Sequence, residues 1–227
     1  LLKSKRVAFL TGTRADYGKL KPLIKALASS DKFDVFIIAT GMHLLFEYGS
    51  TVNHIISDNL APVITMDNQI IDEKMEIVLA KTMIGLSKVL EDNPIDLLVV
   101  HGDRVEALAG AATSSLKNIR VAHIEGGEHS GTVDNIIRHA VSKFSHFHFV
   151  SNDAARVVLK NIGEKPESIF NIGSPETDIL LSNNLPDLDS VKKRYDIKFK
   201  NYGIMIFHPV TTELNEIKSQ IINLSYA

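Results

Sequence analysis

The amino-acid sequence predicts an α/β fold in which a mainly parallel sheet carries helices on both faces. Five short apolar runs, at residues 6–12, 33–41, 95–102, 120–127 and 146–152, are rich in β-forming residues and each stops at glycine or a polar residue. Near-continuous runs of this kind mark strands buried on both faces. Between them lie segments with apolar residues at helical spacing, and repeated strand–helix alternation with right-handed crossovers gives a doubly wound sheet.

The run RVAFLTG opens the sheet, and Gly12 and Thr13 lead out of it. A helix begins shortly after Arg14, with apolar positions 20, 23, 24 and 27 on one stripe. FDVFIIATG is the second strand, where Gly41 supplies a turn and His43 follows. A long helix over residues 73–90 carries Ile77, Ala80, Ile84, Leu86 and Leu90, and Glu91-Asp92-Asn93-Pro94 stops it. IDLLVVHG is the third strand, and Asp103 then stands in the first turn of a helix, where a carboxylate can cap backbone N–H groups. RVAHIEGG and HFHFVSN complete the series. In NIGSPETDILL, Gly173 and Pro175 mark a turn and a helix start.

From Ile179 the texture becomes polar and irregular, with one short helix around residues 190–195. YGIMIFHPVTT, residues 202–212, then reads as a strand and residues 213–227 as a helix. One strand and one helix cannot close a core. The predicted organisation is an N-terminal Rossmann-like domain over residues 1–178, a linker region over 179–202, and at 203–227 the incomplete beginning of a C-terminal Rossmann-like domain.

The 227 residues include 25 basic and 27 acidic ones, with no charged tail, so nothing advertises a nucleic-acid surface. Absence of cysteine excludes a disulfide scaffold, a thiolate zinc site and cysteine nucleophilic chemistry. No apolar run reaches the roughly 20 residues of a membrane span, and the first residues lack a signal-peptide pattern. The expectation is a soluble, cytoplasmic protein with neither membrane nor nucleic acid as partner.

In open parallel sheets, ligands bind beyond the carboxyl ends of the strands, and the unusual polar residues gather there. Gly12 would let a bound group approach the backbone, and Arg14 offers five fixed donors suited to a phosphate or pyrophosphate. Neither a GxGxxG fingerprint nor a P-loop is present. His43 could face the same crevice. A cap would account for Asp103, but not for His101 and Arg104 around it. Glu125 follows its strand, and Asp134 opens a helix bearing Arg138, four residues on, at ion-pair spacing. Three carboxylates, Asp103, Glu125 and Asp134, thus converge on one sheet edge, where crowding can separate their acid and base roles. A metal site is the competitor, since His101, Asp103, His123, Glu125 and His129 are all metal-capable. Their spacing matches no standard zinc motif, and strand alternation sends His123 and Glu125 to one face and Ile124 to the other.

These stretches together resemble the UDP-N-acetylglucosamine 2-epimerase family in its hydrolysing branch, which makes N-acetylmannosamine for sialic acid, or related acylamino sugars for bacterial surface glycans. The resemblance runs over residues 6–213 through TGTRADYGKLKPLI, HGDRVEAL, HIEGGEHSGTVDNIIRHAVSKFSHFHF, IGSPETD and FHPVTT. It implies two Rossmann-like domains of GT-B type with a UDP-sugar between them, no metal, no cofactor and a homo-oligomer. Positions matching Arg14, Asp103, Glu125, Asp134 and His208 line the family's site. We therefore expect Asp103, Glu125, Asp134 and His208 in catalysis, and Gly12, Thr13, Arg14, His43, Arg104, Arg138 and Ser174 in substrate binding. The non-hydrolysing branch has a GTRPE-like start and an HR pair at the late histidine, whereas this chain has Arg14-Ala15-Asp16 and His208-Pro209. A GT-B glycosyltransferase and a non-catalytic nucleotide-sugar-binding module are the alternatives.

Overall fold

Along strand β1 (Lys5–Thr11) successive side chains enter two different cores: Val7 and Phe9 join one, Ala8 and Leu10 the other. That division is the direct consequence of a period-two strand with helices on both sides. The computed structural model describes residues 4–182, 185–207 and 214–226, which fall into two units, Leu1–Asn183 and Asn184–Ala227.

In the first unit β1 is followed by α1 (Arg14–Ala28), β2 (Phe33–Ala39), α2 (Val52–Asp58), β3 (Val63–Thr65), α3 (Met75–Asp92), β4 (Leu97–His101), α4 (Val105–Leu116), β5 (Arg120–Ile124), α5 (Val133–Lys143), β6 (Phe147–Val150), α6 (Asp153–Asn161), β7 (Ile169–Asn171) and α7 (Glu176–Leu180). All seven strands are parallel, in the order β3-β2-β1-β4-β5-β6-β7. This is an α/β Rossmann-like domain with its strand order reversing between β1 and β4.

Helices α1 and α2 bring Tyr17, Leu20, Ile24 and Ile55 to the core that holds Val7 and Phe9. Helices α3, α4 and α5 cover the other face with Val78, Leu86, Val105, Ala111 and Val141. The buried stripe of α3 is Val78, Thr82, Leu86 and Leu90, while Ile77 and Ile84 of the expected stripe are exposed. In an apolar-rich helix two registers compete, and packing on the sheet selects one.

Helix α4 is built of small residues and lies very close to the sheet. A Cβ on Gly110 would stand 2.6 Å from Leu10 Cδ2 and 3.1 Å from Val100 Cγ1. Alanine would favour the helix by about 1 kcal/mol, but overpacking a fitted core costs about 1–3 kcal/mol. Packing should win: Gly110→Ala is expected to destabilise the protein by about 1–2 kcal/mol in urea unfolding, and a stabilised variant would refute the close approach.

The second unit contains α8 (Leu188–Arg194) and α9 (Ile217–Tyr226). The expected strand is not found where it can be checked, since residues 202–207 form no regular element. An extended segment obtains its hydrogen bonds from a neighbouring strand, and none pairs with it among the described residues. The rest of that expected strand, including His208, lies outside the described residues. A second Rossmann-like domain is not seen among the described residues. Among the described residues no helix is long and apolar enough to cross a membrane.

Candidate active site

The reversal of strand order between β1 and β4 splays the loops that leave them, opening a crevice at their carboxyl ends. Gly12, Thr13 and Arg14 stand at one lip; Asp103 and Arg104 stand at the other. Thr13 is the N-cap of α1, and Asp16 completes a capping box. Asp16 also accepts the backbone N–H groups of Gly12 at 2.9 Å and Thr13 at 2.8 Å. The amides that a phosphate would use at this turn are therefore already bonded to a carboxylate. Arg14 is exposed and makes no hydrogen bond or ion pair among the described residues, which leaves its guanidinium as the available donor. With Lys19 and Glu176 it lines an open hollow of ≈ 520 Å³.

Glu125 is the most strongly held group of the crevice. Its carboxylate accepts from Lys19 Nζ at 2.9 and 3.0 Å, from His101 Nε2 at 3.0 Å and from Ser174 Oγ at 2.8 Å. The residue is only 4% exposed. Burial alone would raise its pKa, but the bonds from His101, Lys19 and Ser174 together outweigh it and hold the carboxyl down at about 2. Lys19 answers in kind: burial opposes its charge, yet Glu125, reinforced by Glu176 at 3.4 Å, keeps its pKa above the ordinary lysine value.

The backbone explains how Glu125 reaches Lys19. Its φ is +59°, a left-handed conformation that costs a non-glycine residue about 1–2 kcal/mol. This breaks the expected alternation: His123 turns toward Ser142 of α5, whereas Glu125 turns to the opposite face, toward α1. The turn is pinned by two bonds, Glu125 N–H to the Phe149 carbonyl at 2.8 Å and Arg138 Nη1 to the Glu125 carbonyl at 2.7 Å.

Arg138 is buried and acts as a strut, since its Nη2 also donates to Asp103 Oδ2. The Asp134–Arg138 ion pair that their spacing allows is not formed. Arg138 reaches inward to Asp103, and Asp134 accepts from Thr132 Oγ at 3.0 Å in the first turn of α5. Nor does Asp103 cap α4, whose N-cap is Arg104 with no side-chain cap bond. Asp103, Arg104 and Asp134 instead line one cavity of ≈ 200 Å³ with Met42, Gln69 and Met75.

His43 lies away from that opening. It is fully buried, and its ring nitrogens sit 3.0 Å from Thr11 Oγ and 2.7 Å from Thr51 Oγ. His123 is equally buried; its Nε2 donates to the Gly102 carbonyl at 2.8 Å, which fixes the tautomer. His129 is exposed. The metal-capable residues noted in the sequence do not converge, and among the described residues no group of three or more His, Asp or Glu is placed to share a metal ion.

Burial pushes the His123 pKa down to about 3, with Gly102 opposing and the charges of His101, His148 and Arg138 adding to the depression. Folded protein thus leaves His123 neutral where the unfolded chain, near 6.5, takes up a proton. The unfolded state binds more protons between those values, so stability falls as pH drops from about 6.5 toward 3. Glu125 adds a second loss as pH falls from about 4.5 toward 2. His123→Gln is expected to flatten the decline of Tm between pH 6.5 and 4.5; an unchanged slope in thermal melts would contradict the assignment.

Lys19, His101 and Glu106 complete the arrangement, and the first and last carried readable signals. Lys19 lies four residues before position 23, at the edge of the apolar stripe of α1, where a lysine in the first half of the helix can reach the strand ends. Glu106 is a carboxylate in a helix otherwise built of small and apolar residues. His101 was noted beside Asp103, but its bond to Glu125 spans 24 residues and has no local signature.

Comparison with known proteins gives concordant findings. The family model described as UDP-N-acetylglucosamine 2-epimerase matches residues 25–225. The UDP-N-acetylglucosamine 2-epimerase of Neisseria meningitidis serogroup B is 46% identical over 209 residues, covering 92% of this chain and 55% of that protein. The hydrolysing UDP-N,N'-diacetylbacillosamine 2-epimerase of Legionella pneumophila is 38% identical over 222 residues, covering 95% and 58%. Among solved structures, the Methanocaldococcus jannaschii UDP-GlcNAc 2-epimerase in complex with UDP-GlcNAc and UDP is 29% identical with a TM-score of 0.65, covering 74% of this chain and 46% of that one. The chain spans a little over half the length of these two curated relatives.

Proposed function

The chain belongs to the UDP-N-acetylglucosamine 2-epimerase family, and from that premise we propose that the protein is a hydrolysing nucleotide-sugar 2-epimerase. Its substrates would be UDP-N-acetylglucosamine, or a related UDP-acylamino sugar, and water; its products would be UDP and the free 2-epimer, such as N-acetylmannosamine. The observation that carries this reading is Glu125, an ionised carboxylate buried at the crevice, whose backbone carbonyl is tied through Arg138 to a second carboxylate, Asp103. The departure of Arg14-Ala15-Asp16 from the non-hydrolysing start supports the hydrolysing branch; Asp16 of that stretch closes the capping box with Thr13.

The chemistry gives each group a task. The C2 hydrogen of an N-acetylhexosamine has no adjacent carbonyl to acidify it. Departure of UDP from C1 supplies the missing acidity through oxocarbenium character; loss of the C2 proton then gives a glycal. Water adds its hydroxyl to C1, and a proton returns to C2 on the opposite face. Arg14 would meet the charge developing on the diphosphate. A carboxylate held at a pKa of about 2 is a poor proton acceptor near neutrality. Glu125 therefore serves to hold Lys19 and to oppose positive charge at C1, and Asp103 and Asp134 pass the C2 proton and orient water. In the two-domain arrangement we propose, residues 1–178 form the first Rossmann-like domain, 179–202 a link and 203–227 the start of the second. There His208 would assist the leaving diphosphate. Cytoplasmic location and a homo-oligomeric state belong to the same reading.

Incubated with UDP-N-acetylglucosamine in excess chelator, the protein is expected to release UDP and free sugar in equal amounts. Glu125 and Asp103 are engaged by lysine, histidine and arginine, which argues against a divalent ion as their partner. Nucleotide retained on the epimerised sugar would point to the non-hydrolysing reaction. Activity restored only by a divalent ion would favour a metal mechanism.

A further inference from the structure

We propose that Glu106 is a positioning residue for Arg104, seating its carboxylate between two strand-end turns so that Arg104 presents its terminal nitrogens to the sugar side of the cavity. The proposal rests on the nucleotide-sugar reading above. Glu106 is 1% exposed and stands in the first turn of α4. Its Oε2 accepts from Arg104 Nε at 3.2 Å. Its Oε1 is buried with no hydrogen-bond partner. Burying a carboxylate with one oxygen unmet is costly, and an apolar residue would serve the packing of this helix better.

The seat is specific. A Cβ on Gly12 would stand 3.0 Å from Glu106 Cγ and Cδ, and a Cβ on Gly41 would stand 2.8 Å from Glu106 Oε1. Gly12, which the sequence offers as a ligand-approach position, and Gly41, which it offers as a turn, therefore make room for this carboxylate. Gly12, unlike Gly41, has no positive φ that would demand glycine; the space is the reason for it. On the other side Arg104 is 38% exposed and lines the cavity with Asp103 and Asp134. Glu106 is its one partner among the described residues. Held by Nε, the guanidinium keeps both Nη groups free, a fork suited to an oxygen pair on a ligand.

Gln at this position separates positioning from charge. Its carbonyl can still accept from Arg104 Nε. Its amide nitrogen would take the place of the unmet oxygen, and the substitution removes a buried charge that has only one partner among the described residues. Glu106→Ala removes the acceptor altogether.

The test measures KM and kcat for UDP release, with Tm, in Glu106→Ala, Glu106→Gln, Arg104→Ala and the Glu106→Ala/Arg104→Ala double variant. Glu106→Ala is expected to raise KM roughly 10-fold with little change in kcat, as loss of uniform binding does. Glu106→Gln should recover most of that loss with a Tm at or above wild type, and the double variant should bind no worse than Arg104→Ala alone. A merely structural Glu106 predicts otherwise: Tm falls, KM holds, and any effect adds to that of Arg104→Ala. Either additive effects or an unmoved KM overturns the proposal. Wild-type protein that releases no UDP overturns the reaction assigned above instead, and the same cycle read as UDP-N-acetylglucosamine affinity by calorimetry then decides the role of Glu106.

Discussion

Glu125→Gln is expected to lower turnover of UDP-N-acetylglucosamine by roughly 1,000-fold, the largest effect of any single change at the strand ends. Every partner of this carboxylate is a donor: Lys19 bonds to both oxygens, Ser174 to one and His101 to the other. An amide group turned either way would set an NH2 against a donor and leave the Lys19 ammonium without its opposing charge. The ionised form is the one the site is built for, because those bonds hold the pKa at about 2 against the cost of burial. Turnover should therefore collapse while the distant core, and cooperative unfolding with it, persists. Steady-state kinetics beside a thermal melt checks this. Wild-type turnover in a folded variant would show that Glu125 serves only to tie α1 to β5.

Asp103→Asn is expected to cost roughly 100-fold or more in kcat with smaller change in nucleotide affinity. Asparagine keeps shape and one oxygen able to accept from Arg138 Nη2, so the strut that pins the left-handed Glu125 should survive. What is lost is a charge and a proton acceptor on the wall of the cavity. Helix capping offers no alternative account, since α4 takes no side-chain cap from Asp103. Near-wild-type kcat would return Asp103 to the role of partner for Arg138. Loss of folding instead would show that the ion pair with Arg138 is needed for stability, and kcat would then have to be read in a refolded or stabilised background.

These two residues also show what a sequence can and cannot disclose. Strands β1, β2, β4, β5 and β6 were legible because burial on both faces writes an unbroken apolar run. The edge strands β3 and β7 have three residues each, too few to stand out from a turn. The gathering of Gly12, Asp103 and Glu125 at one sheet edge followed from strand ends alone. Their partners did not: Arg138 bonds across 35 residues to Asp103, and Lys19 across 106 to Glu125. Such pairings depend on strand order, which no local period records. Spacing at i, i+4 licensed an Asp134–Arg138 pair, yet a guanidinium placed on the buried side of α5 finds the carboxylate that faces it. The positive φ of Glu125 was likewise invisible, because nothing in the sequence distinguishes a left-handed glutamate from an extended one. His43 stood at the expected strand end but faces inward to Thr11 and Thr51.

The central claim, elimination of UDP followed by hydration, is tested most directly by running the reaction on UDP-N-acetylglucosamine in heavy water and examining the products by NMR. The account predicts UDP and free N-acetylmannosamine with solvent deuterium at C2, as proton loss and return at that carbon require. A free sugar that keeps its original hydrogen at C2, or an epimer still attached to UDP, would contradict it.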